Sequence, residues 1–536
     1  MVALGWVMLG VHAQNNATNS KGIPSETVEV VDDYKATIQD AQKISIEPNI
    51  PEIEEAHPKL DYNIPQRELR DFAFEGSPLR PLSMGTEKLE NYNTSFIKIG
   101  LGSQLSPLAQ LAYNDNKTKN LKFGLFYDHL SAAGFNVKNQ RFSDDLLGVY
   151  AKYFPQTLEI GTNLSFHNYR THFYGTGNSD TSYSEREVRQ VLRNYDASVY
   201  LKNAQKNKYD INFGQSLNFD YLQETYGGAG EWSFAGKSYF DKTFLKYHSI
   251  YGNLDFDVSR LNNDSFTLSR ALVTPAVGYG FNNDDWKGHG QLGFTLDNGR
   301  PIFVTDLHIE KRLYEHNLIA YLGFSRFDQK NSLNSLVQTN NFIQDYVSIE
   351  NSPTDDFVAG LKGTIFDFSY NLAFNLEHAK NFALFINDTN DIKRFLVTYD
   401  PSTWIYNFHL EAGYNAKEWL RILVFSDLNL YNLHTEAEPW QDPLFKVTLR
   451  GNYVWKDKLS FGADIYALTD SYAKLAGGQQ RQLNGTADIN LNAEYLFNKH
   501  LNFFVTLNNI LDIKYQVWNN YQSYGINGMI GAKYSF

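Results

Sequence analysis

The chain has 536 residues, a formal net charge of −12 and no cysteine, which excludes a disulfide framework, a thiolate metal site, an acylated cysteine anchor and a cysteine nucleophile. The acidic balance also argues against a nucleic-acid partner, whose phosphates call for a basic surface. No apolar run approaches the ~18 residues of a membrane-spanning helix, but a membrane strand alternates and averages out as hydrophilic, and the 35 Tyr and 38 Phe suit a surface with one wet and one dry side.

Residues 1–13, within "MVALGWVMLGVHAQ", form a short apolar run ending in the small-residue pattern Val11-His12-Ala13. They are expected to be a signal peptide that leaves Gln14 at the mature N-terminus. The usual positive charge before the apolar run is missing, which implies a true start upstream of Met1; the competing reading is a buried first strand. Export would place the protein in a bacterial envelope.

Residues 14–93 hold Pro24, Pro48, Pro51, Pro58, Pro65, Pro78 and Pro81 with acidic clusters such as Glu52, Glu54 and Glu55. Proline removes ladder donors, so the composition predicts an acidic, proline-rich periplasmic arm or partial plug in place of regular sheet.

From about Thr94 the pattern changes to alternating segments of membrane-strand length. "TLEIGTNLSFHN" puts Leu158, Ile160, Leu164 and Phe166 opposite Glu159, Asn163 and Ser165, and "RQLNGTADINLNAEYLFNKH" repeats the pattern. Connections are tight at 155–156, 415–418, 456–458 and 498–500, and long at 169–192, 327–355, 379–403 and 469–480. Such segregation predicts an antiparallel transmembrane outer-membrane β-barrel over 94–536, with turns in the periplasm and loops outside. About 21 segments can be counted, whereas a chain that starts and ends in the periplasm needs an even number. Twenty-two strands are therefore expected, with 20 as the alternative. The alternation breaks down between about 222 and 316, where either "FAGKSYFDKTFLKYH" hides a strand or two segments merge.

Charges within these strands sit opposite the apolar residues. Lys98, Lys122, Lys152, Glu159, Arg421, Arg450, Asp488 and Glu494 are the candidate lumen-lining residues, and their mixed signs argue against a strongly ion-selective pore. In a soluble sheet the same residues would form the solvated face. Trp232, Tyr239 and Trp440 read as loop aromatics that could pack, form a girdle or stack on a sugar.

The chain ends in "GINGMIGAKYSF", with Ile526, Gly528, Ile530, Ala532, Tyr534 and Phe536 on one strand face. Together with Asn508-Asn509-Ile510, Asp512, Tyr515, Tyr521 and Gly525, this end resembles the C-terminus of TonB-dependent outer-membrane receptors. The spacing of Gly531, Tyr534 and Phe536 is similar to the tail by which the barrel-assembly machinery recognises its clients. The resemblance implies a barrel in the Gram-negative outer membrane and, as partners, outer-membrane lipids, the assembly machinery during insertion and envelope proteins. It departs from the family in one respect: those receptors carry a folded plug longer than the arm present here. Glu26-Thr27-Val28-Glu29-Val30-Val31 looks like the short box that contacts TonB, and whether TonB energises this chain stays open.

No HExxH, GxSxG or phosphate-loop motif occurs, so no catalytic, metal or cofactor site is expected. His129 and Ser131 resemble the His-x-Ser pair of outer-membrane phospholipases, but the residue after the serine is Ala132 where that family has Asn, and the sequence names no third group; the alternative is a polar pair at the interfacial girdle. The expectation is a receptor-like or porin-like barrel, not an enzyme, for passage or binding of a small solute, with the arm partly occluding the lumen. The alternatives are a structural subunit of an outer-membrane assembly or secretion complex with a closed lumen, and a soluble secreted β-protein.

Overall fold

The computed structural model describes residues 95–536, apart from 116–117, 135–136, 177–182, 206, 208, 316, 345–347 and 417–418. The expected signal peptide, the arm and the TonB-box-like residues 26–31 lie outside the described residues. Twenty-two antiparallel strands form one closed sheet, from Phe96–Gly102 to Asn527–Ser535. The first strand pairs with Ser106–Asn114 on one side and with the last strand on the other, so no edge is left open.

Alternation decides which way each side chain points. Ile97, Ile99 and Leu101 of the first strand and Ile530 and Tyr534 of the last are 42–67% exposed, and matching rows of exposed aliphatic and aromatic residues run around the ring. An exposed apolar band of this extent requires a hydrocarbon solvent. Alternate residues such as Lys98 and Lys533, opposite each other in register, face the interior.

The chain end is built into the seam. The Phe536 N–H donates to the Ser95 carbonyl at 2.9 Å, and Tyr534 and Phe536 lie on the outer face with ring centroids 6.2 Å apart. Gly531 points inward, where a Cβ would come within 2.4 Å of the Phe504 ring and 2.1 Å of the Ile99 carbonyl oxygen. Close approach of the closing strands therefore requires glycine at this position.

The ambiguous stretch resolves into five consecutive strands, and "FAGKSYFDKTFLKYH" spans the end of one, a tight turn and the start of the next. Gly230–Phe244, His248–Asn262, Thr267–Asn282, Trp286–Asp297 and Arg300–Tyr314 follow one another with connections at 245–247, 263–266, 283–285 and 298–299. Both ends carry tight turns here, which is why loop length stops reporting direction. Trp232 and Tyr239, read as loop residues, belong to Gly230–Phe244; Trp440 does lie in a connection and is buried.

Candidate functional site

The eight candidate lumen residues all face the interior, but they do not converge. Lys98 places its ammonium 4.4 Å from the centre of the Phe504 ring. Lys122 lies opposite Lys152 in register. Glu159 accepts the Tyr200 hydroxyl at 2.7 Å and faces Lys202 at 3.5 Å. Arg421 lies between Asn415 and Asn452, Arg450 meets Asp464 at 2.6 Å, and Glu494 accepts from Asn502. Asp488 is an anchor: it is buried, and its carboxylate accepts the Leu511 N–H at 3.2 Å, tying down the 509–526 connection.

Strand register assembles a second inner group. Lys362 reaches Glu310 at 2.7 Å, His308 reaches the same carboxylate at 2.9 Å, and His289 pairs with Asp306 at 3.0 Å while stacking on His308. Only strand register brings these residues together, and the wall they form is polar and largely self-neutralised.

One end of this wall is closed. Leu192, Leu222 and Leu261, inward-facing at the loop end of their strands, share a buried cluster with Phe173, Val188, Leu333, Leu336, Phe342, Phe385, Phe395, Trp518 and Tyr521 from the connections. Tyr521, wholly buried, stacks on Phe342 at 3.6 Å between centroids and meets Tyr174 edge-on at 4.9 Å. Trp518 packs edge-on against Phe385 and Phe395 at 5.3 and 5.5 Å. The connections carrying Phe342 and Tyr521 leave the ring far apart, with the strands from Phe368–Ala379 to Thr486–Leu496 between them. Their contact therefore crosses the barrel mouth.

Polar bonds hold this lid to the wall. The Asn334 N–H and side-chain amide donate to Glu231 and Asp220 at 2.9 and 2.8 Å, seating the short helix Leu333–Thr339 on inward carboxylates. The backbone N–H of Asn519 donates to Gln441 at 3.0 Å and its amide to Asn387 at 2.9 Å. Asn387 Nδ2, Gln441 Nε2 and Asn519 Oδ1 are buried without a partner among the described residues, leaving two donors and one acceptor with capacity for a polar group. Asp400 organises the neighbouring connection by accepting the N–H groups of His434, Thr435 and Glu436 at 3.0, 2.7 and 3.1 Å. Burial pushes its carboxyl up, but these donors outweigh burial and hold it well below the usual carboxylate range.

No protein-family model matches the sequence, and no curated protein matches it either. Solved structures do. The FrpB iron transporter from Neisseria meningitidis (F3-3 variant) superposes with a TM-score of 0.66 at 10% identity, covering 82% of this chain and 81% of that one. The pyoverdine outer membrane receptor FpvA from Pseudomonas aeruginosa gives 0.64 at 12% identity over 84% and 79%. The siderophore receptor PiuA from Acinetobacter baumannii gives 0.63 at 10% identity over 82% of each chain. The chain has the closed 22-strand barrel fold of TonB-dependent receptors, as its C-terminal residues led one to expect.

Proposed function

We propose that this protein is an outer-membrane receptor barrel of a Gram-negative bacterium that binds or passes a small polar solute, its lumen taking no part in covalent chemistry. The observation that carries this reading is the aromatic lid closing one mouth over a polar, mixed-charge interior. A 22-strand ring left open would leak, so a receptor of this width needs a closure. The lid sits at the long-loop end, opposite the chain terminus, which is the outside of an outer-membrane barrel. Opening of the lid would present the spare donors and acceptor of Asn387, Gln441 and Asn519 to a solute arriving there. The fold shared with iron and siderophore receptors supports uptake. In this reading residues 14–93 occlude the lumen from the periplasmic side, and envelope partners, TonB among them through residues 26–31, act on that arm.

Planar-bilayer conductance of the purified protein tests the proposal in three forms: the full chain, the chain lacking 14–93, and that deletion combined with Tyr521→Ala. Large steps that appear as closures are removed support a gated conduit. Silence from all three, with the barrel folded, favours the second reading, a structural subunit whose lumen stays shut; the extent of the packed lid is the observation on its side.

A further inference from the structure

The outer wall carries a constellation independent of the lumen. On Leu121–Ala132 the outward residues run Leu125, Tyr127, His129, Ser131, and on Phe142–Tyr153 the outward row includes Ser143, Asp145, Leu147 and Val149. His129 lies directly opposite Asp145 in register. Its Nδ1 is 2.7 Å from Asp145 Oδ1, and its Nε2 is 3.1 Å from Ser131 Oγ. A carboxylate can only accept, so Nδ1 carries the proton and Nε2 is left as the acceptor for the serine hydroxyl. This is the nucleophile, base and orienting acid arrangement of a serine hydrolase, recognised by geometry and independent of sequence order. Asp145 is itself fixed by Tyr127, Ser143 and Asn168, which donate to it at 3.2, 3.1 and 3.4 Å. Neither partner is sealed off: the His129 and Asp145 side chains keep 22% and 28% exposure.

Location selects the substrate. Ser131 lies one residue from the end of its strand at the loop end of the barrel, where the apolar band gives way to water. Six residues back, Leu125 helps line a shallow apolar groove of about 300 Å³ with Tyr113, Phe123, Val149, Ala151 and Leu164. All of these residues share the outer face, ~13–20 Å along the strand from His129. In the other direction, register places Ser143 opposite Ser131 and exposed Arg170 opposite Ser143. A row of nucleophile, hydroxyl and guanidinium above an apolar groove matches a lipid whose ester lies at the interface, its acyl chain in the groove and an anionic headgroup against the cation.

We propose that Ser131, His129 and Asp145 form a catalytic site on the lipid-facing wall that hydrolyses carboxylic esters of acyl lipids in the outer leaflet. Ser131 Oγ bonds to the ester carbonyl carbon as its proton passes to His129 Nε2. The carbon–oxygen bond to the leaving alcohol then breaks, and that alcohol takes the proton. Water repeats the sequence on the acyl-serine ester, releasing the carboxylic acid and restoring Ser131.

The test uses the full chain in detergent micelles and in phospholipid vesicles, with folding checked by the heat-dependent shift of the barrel on electrophoresis. A fluorophosphonate probe should label wild-type protein on Ser131, as located by peptide mass spectrometry, and fail on Ser131→Ala. Fatty-acid release from a diacyl phospholipid in mixed micelles should fall on the order of 10⁴-fold for Ser131→Ala and His129→Gln and by a comparable factor for Asp145→Asn. The proposal is overturned if folded wild-type protein leaves Ser131 unlabelled, or if Ser131→Ala releases fatty acid at the wild-type rate.

Discussion

The two ends of the barrel are held together by different physics. At one end the connections are as short as 245–247, 366–367 and 456–458, and they turn by placing side-chain-bearing residues in the left-handed region: Leu245 at φ 47°, Phe366 at 53°, Lys456 and Asp457 at 51° and 54°. At the other, connections such as 330–351, 380–402 and 509–526 build a hydrophobic core of their own across the opening. The turn end fixes strand register locally. The loop end must offset the ordering of long segments by burying aromatic rings, and so becomes the place where recognition and gating can reside. If this contrast is right, the loop core should open separately from the barrel.

The largest expected effect is at Tyr521, whose ring touches Phe342 and Tyr174 and whose hydroxyl donates to the Lys393 carbonyl. Tyr521→Ala should destabilise the lid by about 3–5 kcal/mol, as for other buried aromatics. Limited proteolysis within 509–526 should accelerate while the heat-dependent electrophoretic shift of the barrel stays unchanged. Simultaneous loss of both would show that lid and barrel are one cooperative unit and would break the contrast. Tyr521→Phe keeps the stacking and should cost only about 1 kcal/mol.

Next comes Asp400, which gathers four N–H donors, those of Ser402, His434, Thr435 and Glu436, and the hydroxyls of Thr403 and Thr435 at 2.9 Å each. Asn cannot offer a charged acceptor, so Asp400→Asn should loosen 433–444 by about 1.5–3 kcal/mol. The folded carboxyl is depressed, so its contribution is fully present above the unfolded value of about 3.9 and is lost as pH falls below that value toward the folded one. Protection from hydrogen exchange across 433–444, taken relative to the intrinsic rate at each pH, should therefore match between pH 7 and pH 5 in the wild type. Opening already at pH 5 would remove Asp400 as the organiser.

Much of this architecture was legible in the sequence because strands obey a two-residue period and turns punctuate them. The segregation of loop lengths marked the two ends, and the apolar face from Ile526 to Phe536 marked the last strand. Direction became unreadable between 222 and 316 because outer connections as short as 298–299 look like the inner ones. The eight inward charges could be assigned to a face, since alternation is local, but their partners could not, since Arg450 and Asp464 meet only through register. The lid was invisible for a related reason: Phe342, Trp518 and Tyr521 follow no period, and their proximity depends on where distant strands enter the ring. His129 and Ser131 stood out two residues apart, whereas Asp145 required knowing that the hairpin pairs it with His129.

A smaller effect, of opposite sign, is expected at the turn end. Lys456 and Asp457 both hold positive φ in the connection between Phe445–Trp455 and Leu459–Leu468, the geometry that favours Asn-Gly. Relief of left-handed strain in Asp457→Gly exceeds the added freedom of the unfolded chain, so the variant should gain about 1 kcal/mol. Global unfolding in urea should shift to higher midpoint with no change in proteolysis at the lid. A change in the lid would mean that the two ends communicate through the wall.

The smallest effect separates packing from surface charge within the loop end itself. Lys474 donates to both oxygens of Glu436 at 2.9 and 2.6 Å, a geometry that invites a large role. The lysine is 29% exposed, however, and a partly solvated pair of this kind contributes at most about 1 kcal/mol. Glu436 also keeps a second donor, the Trp440 indole N–H at 2.8 Å, so removing the lysine does not leave its carboxylate without a partner. Lys474→Ala should therefore cost about 0.5 kcal/mol and diminish further in high salt. Hydrogen exchange over 433–444 is expected to change far less than in Asp400→Asn. An equal change in the two variants would mean that the connection is held by its ion pairs and not by the buried carboxylate that collects its backbone donors.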